Sequence, residues 1–141
     1  MTAPERSVAA AGSSSDHVLE VTDLVKYYPI RAGLFRKHVG DVHAVDGVSF
    51  TLGVTETLGI VGESGCGKTT LGRTLLRLVE PTSGQIEFRG EDVVGASSGR
   101  MRELRQDMQM VFQDPFASLN PRMPIQDIIS EPLQILGTDK K

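Results

Sequence analysis

The sequence predicts an α/β fold with an antiparallel β layer in front of its core. Three observations predict it. Alternating apolar and polar residues near the N-terminus read as paired strands. A short apolar run, Thr57–Val61, leads through a glycine-rich loop into an amphipathic helix. A second apolar run, Met108–Gln113, follows further on, as a second buried strand would.

Taken in order, residues 1–16 are small and polar and read as a disordered leader. From Val18 the chain alternates, with Val18, Glu20 and Thr22 against Leu19 and Val21, giving a half-buried strand that ends near Thr22. Arg31–Asp41 is basic and punctuated by glycine, so it reads as a protruding loop with a solvated face. His43–Leu52 is the second strand, with a turn or bulge at Asp46-Gly47. Thr57–Val61 has the profile of a strand buried on both faces. The following helix is expected from Lys68 to about Glu80: Leu71, Leu75 and Leu78 repeat at helical spacing, and Pro81-Thr82-Ser83-Gly84 ends it. "QIEFRG" is a strand with a turn and "SGRMRELRQ" a short charged helix. Met108–Gln113 is closed by Asp114-Pro115, and a last helix runs from Pro124 or Ile125 to Leu136. There are no internal repeats.

Composition narrows the function. Of 141 residues, 39% are hydrophobic, enough for a packed core. A net charge of −3 leaves no electrostatic footprint for nucleic acid. No apolar run approaches the roughly 20 residues that span a bilayer, and the N-terminus has no sustained apolar region of the secretory kind. The single cysteine, Cys66, excludes an internal disulfide.

Gly62-Glu63-Ser64-Gly65-Cys66-Gly67-Lys68-Thr69 matches G-x-x-x-x-G-K-[ST] at every fixed position, and Thr70 follows it. The spacing has a chemical reason. Glycines let the backbone wrap a polyphosphate closely, so that successive N–H groups converge on its oxygens. The helix beginning near Lys68 adds the positive end of its dipole. The Lys68 ammonium neutralises the β- and γ-phosphates, and the Thr69 hydroxyl is placed to bind Mg²⁺. Cys66 occupies a variable position, with no base nearby in sequence, and reads as an inert small residue.

A phosphate loop alone leaves several nucleotide enzymes open. Together with "AVDGVSF" and "ETLGIVGESGCGKTTLGRTLLRL", however, the stretch "MQMVFQDPFASLNPRM" closely resembles the ATP-binding subunits of ABC transporters, and within them the oligopeptide/dipeptide import branch. The resemblance runs from Leu19 to Leu136. It implies a P-loop NTPase of the ABC type, with ATP and Mg²⁺ as ligands. It also implies Gln113 as the glutamine that contacts Mg²⁺ or the attacking water, and Tyr28 as the ring that stacks on adenine, with Tyr27 the alternative. The basic Arg31–Asp41 insertion is typical of the peptide branch. Phe116 and Leu119 fall where a membrane subunit would dock, although local packing explains them equally. The implied partners are transmembrane permease subunits, a second ATP-binding subunit and, indirectly, an extracytoplasmic substrate-binding protein. The implied location is the cytoplasmic face of the membrane, as a peripheral subunit. Dipeptides, oligopeptides, nickel and glutathione all stay open as cargo.

Two departures accompany the resemblance. Thr55 stands where the family places a turn glycine before Glu56. Residues 124–141 hold no LSGGQ-type signature, acidic strand end or switch histidine, and His17, His38 and His43 all lie upstream of the loop. Glu131 precedes Pro132 in a segment matching the family's "EPL", which favours a structural role over catalysis. Residues 17–141 therefore read as the N-terminal part of a nucleotide-binding domain, without the later core strands and most of the helical subdomain. The expectation is a stretch that binds Mg·ATP without turning it over and leaves apolar strand edges uncovered.

Overall fold

The computed structural model describes residues 17–33, 36–112 and 119–135. The expected leader, Gln113 and Phe116 lie outside these residues. The described residues fall into two compact units that divide after Gln109.

The first unit is built on a four-stranded antiparallel sheet in the order β2-β1-β3-β4. Strand β1 (His17–Ala32) is central, between β2 (Lys37–Gly53) and β3 (Ser83–Phe88), and β4 (Glu91–Asp92) closes the edge. Both long strands exceed the expectation. β1 continues ten residues past Thr22 because it is carried by a partner, and within the expected loop Arg31–Asp41, residues 31–32 and 37–41 belong to the outer part of a two-stranded ribbon. The turn at Asp46-Gly47 is present as a bulge: Lys26 faces Val45 and Leu24 faces Val48, with Gly47 at φ 63.

Helix α1 (Lys68–Leu75) and helix α2 (Ser98–Asp107) pack with the sheet through Leu71, Met101 and Leu104. They meet Val21, Leu24, Val45, Ile86, Phe88 and Val93, all buried. Fully burying one such side chain stabilises by about 1.5–3 kcal/mol. Thr74 is the single buried polar residue among those described; its hydroxyl donates to the Thr70 carbonyl at 2.8 Å. α1 is shorter than expected. Arg77 adopts φ 49, and the N–H groups of Leu78 and Val79 both turn back to the Arg73 carbonyl. Leu78, expected on the apolar stripe, is half exposed.

Two further expectations are corrected. Thr57–Val61 forms no strand, and Leu58, Ile60 and Val61 are exposed. Met108–Phe112 likewise forms no strand; Val111 and Phe112 are exposed. A strand of the doubly buried kind needs hydrogen-bonded neighbours on both sides, and neither segment has one among the described residues. Met108 nevertheless packs against the core.

The second unit holds helix α3 (Ile125–Ile135), which begins with the Pro124 carbonyl accepting from Asp127 and Ile128. None of its side chains is buried, and Pro132 sits inside it. Glu131 lies exposed on this helix and Leu119 is exposed before it.

Candidate nucleotide site

The loop Gly62–Gly67 delivers the chain into α1 through two left-handed residues, Gly65 at φ 81 and Gly67 at φ 99. Gly67 is the N-cap of the helix, and its carbonyl receives the Leu71 N–H at 2.8 Å. A Cβ at Gly67 would run into the main-chain carbonyl oxygen of Ala44 on β2. The loop is therefore seated on the sheet by backbone against backbone, which only glycine permits. The first turn of α1 contains no acidic side chain, so nothing offsets the positive end of its dipole.

Lys68 bends back over the loop. Its Nζ donates to the carbonyls of Gly62 (2.8 Å) and Glu63 (2.7 Å) and stands 3.5 Å from Cys66 Sγ. The Cys66 N–H bonds to the Glu63 carbonyl at 3.3 Å, tightening the same turn. Glu63, Ser64, Cys66 and Thr69 are exposed, and Thr70 is half-buried. A cleft of about 580 Å³ runs alongside, between Val48 and Phe50 of β2 and the Leu58–Val61 segment, reaching Lys68. The structure thus brings Gly62 through Thr70 together as one cradle at the helix start. Left-handed glycines, an open helix end and a cation at the rim fit a polyphosphate.

The turn entering this region forms despite Thr55. The Glu56 N–H bonds to the Gly53 carbonyl at 3.2 Å, and the Glu56 carboxylate accepts the Gly53 N–H at 2.7 Å. Thr55 meets the requirement by adopting φ 65 itself.

The two candidate tyrosines have different surroundings. Tyr28 is exposed (39%), with Lys26 Nζ 4.9 Å from its ring centroid. Tyr27 is half-buried and occupied: its ring stacks on His43 at 3.8 Å and 15°, and its hydroxyl donates to Asp46. That hydrogen bond, helped by burial and by the charges of Asp46 and Asp41, raises the phenol's pKa. Reading from sequence missed His43 and Asp46. The only signal was the Asp46-Gly47 pair, which announces a bulge and not the contact it makes.

Comparison with known proteins fits this geometry. The ABC transporter family profile matches residues 45–140. The chain is 59% identical over 121 residues to the oligopeptide transport ATP-binding protein AppF of Bacillus subtilis (strain 168), covering 85% of this chain and 37% of that protein. It is 52% identical over 118 residues to the di/tripeptide transport ATP-binding protein DppF of Pseudomonas aeruginosa (strain UCBPP-PA14), covering 84% and 36%. The chain thus spans little more than a third of these relatives. Among solved structures, the dimeric post-hydrolysis state of the ATP-binding cassette MJ0796, bound to ADP and Pi, matches with a TM-score of 0.65 at 21% identity. That match covers 82% of this chain and 47% of the cassette, and it establishes the fold. With a phosphate loop seated on an antiparallel layer and a family profile over most of its length, the chain belongs to the ABC transporter family.

Proposed function

We propose that residues 17–141 are the N-terminal part of the nucleotide-binding domain of an ABC importer, energising peptide uptake at the cytoplasmic face of a membrane. The observation that carries this reading is the cradle from Gly62 to Thr70, with Gly67 locked against Ala44 and Lys68 at the rim. Main-chain N–H groups and the start of α1 hold the phosphates of ATP. Lys68 would exchange its loop carbonyls for phosphate oxygens, and Thr69 would offer its hydroxyl to Mg²⁺. Tyr28 offers its ring to adenine, supported over Tyr27 because Tyr27 is already engaged by His43 and Asp46. Gln113, by the family resemblance, would contact the metal or the water.

Cleavage of the γ-phosphate needs more than this cradle, namely a positioned water and charge stabilisation around the transferring group. These 141 residues hold no signature segment or catalytic acid, so by themselves they bind Mg·ATP without turning it over. Turnover belongs to a complete domain paired with a second ATP-binding subunit and attached to permease subunits, with an extracytoplasmic protein delivering cargo. The similarity to peptide transport ATP-binding proteins supports peptides as that cargo.

Calorimetric titration with Mg·ATP tests the reading. Binding is expected for the chain as it stands and loss of binding for Lys68→Ala, with no phosphate release above background from either. Equal ATP affinity in the variant overturns the assigned site.

A further inference from the structure

We infer that Tyr27, Asp46 and His43 form a clasp that positions Tyr28 as the platform for the base; this rests on the proposed stacking of adenine on Tyr28. The need for a clasp follows from the strand ladder. Pairing of β1 with β3 ends at Val25 opposite Ser83, so beyond that point β1 and β2 continue as a ribbon without a third strand. The β1–β2 register also shifts between Leu24 and Lys26, and again between Lys26 and Tyr27. A two-stranded ribbon emerging from two irregularities is poorly specified by main-chain pairing, and a slip of one residue would send Tyr28 to the opposite face.

Side chains supply the missing constraint at Tyr27. Its ring lies on His43, its direct cross-strand partner, at 3.8 Å. Its hydroxyl is held by Asp46, whose other carboxylate oxygen is 3.8 Å from His43 Nδ1. Its N–H donates at 2.9 Å to the hydroxyl of Thr82, in the connection that follows α1. Tyr27 is thereby tied to β2 on one side and to the segment leaving the phosphate-loop helix on the other. The next residue must point to the opposite face, which leaves the Tyr28 ring partly exposed, with Lys26 Nζ 4.9 Å from its centroid. Tyr27, Asp46 and His43 are positioning residues here, acting on the base through their neighbour.

The test compares a ligand with a base and one without. The full 141-residue chain is titrated calorimetrically with Mg·ATP and with inorganic tripolyphosphate. Tyr27→Phe keeps the ring but loses one hydrogen bond, so ATP affinity is expected to fall about fivefold, with tripolyphosphate affinity unchanged. Asp46→Ala should behave alike, whereas Asp46→Asn, which keeps an acceptor, should restore ATP binding. Equal loss for both ligands in Tyr27→Phe means general damage and overturns the clasp. So does an unchanged ATP affinity in Tyr27→Phe when Tyr28→Ala weakens ATP. If Tyr28→Ala itself leaves ATP binding intact, the platform reading fails and the clasp with it, while the phosphate cradle stands on its tripolyphosphate affinity.

Discussion

Thr55 shows how a single residue can hold a turn at a cost. A β-branched side chain at φ 65 is strained by about 1–2 kcal/mol, and the turn persists because Glu56 closes it from both its N–H and its carboxylate. Thr55→Gly relieves the strain but loosens the unfolded chain, so a net gain of about 1 kcal/mol is expected. Thermal melting should register it as a rise of roughly 4 °C, and a fall would show that the Thr55 side chain has a compensating role. Tyr27 provides a prediction in pH. Its folded pKa lies above the ordinary phenol value of 10.0, chiefly through the hydrogen bond to Asp46. Stability contributed by a raised pKa is complete below the unfolded value and lost as pH climbs through the folded one. The difference in melting temperature between the wild type and Tyr27→Phe should therefore be constant from pH 7 to about pH 9 and close above about pH 10.

Helix α1 ends where arginines take over from intrahelical bonding. Arg77, only 20% exposed, sends Nη1 to the carbonyls of Val93 (3.2 Å) and Ala96 (2.5 Å). Arg105 returns from α2 to the Arg77 carbonyl at 2.8 Å. Hydrogen bonds from a charged donor are worth about 1.5–3 kcal/mol, so with these part-buried carbonyls Arg77→Ala should lower stability by about 2 kcal/mol in a urea melt. A loss below about 0.5 kcal/mol would mean that water replaces the guanidinium. None of this was visible beforehand: leucine spacing runs on to Leu78, and only the three-dimensional return of Arg105 and Val93 explains the early stop. Elements whose cause is local were legible, among them β3, α2, the Gly47 bulge and the glycine-rich turn leading into α1. Thr57–Val61 and Met108–Phe112 were misjudged because an apolar run signals burial, and burial as a strand depends on neighbours that the run does not contain.

At the scale of the molecule, the exposed run Leu58, Ile60 and Val61 presents apolar side chains together with main chain that has no strand partner among the described residues, an arrangement that favours association between copies. Sedimentation velocity on the 141-residue chain should show concentration-dependent self-association, reduced when Leu58→Lys and Ile60→Lys are combined. Unchanged sedimentation in that double variant would move the association elsewhere. Tripolyphosphate affinity should survive the change, since the cradle takes its shape from Gly67, Ala44 and Lys68. That seating has a consequence for mutational scanning. Position 67 should tolerate nothing larger than hydrogen, while position 44, which lends only its carbonyl, should accept many side chains. A survey of tolerated substitutions would then see one partner of a tight contact and be blind to the other.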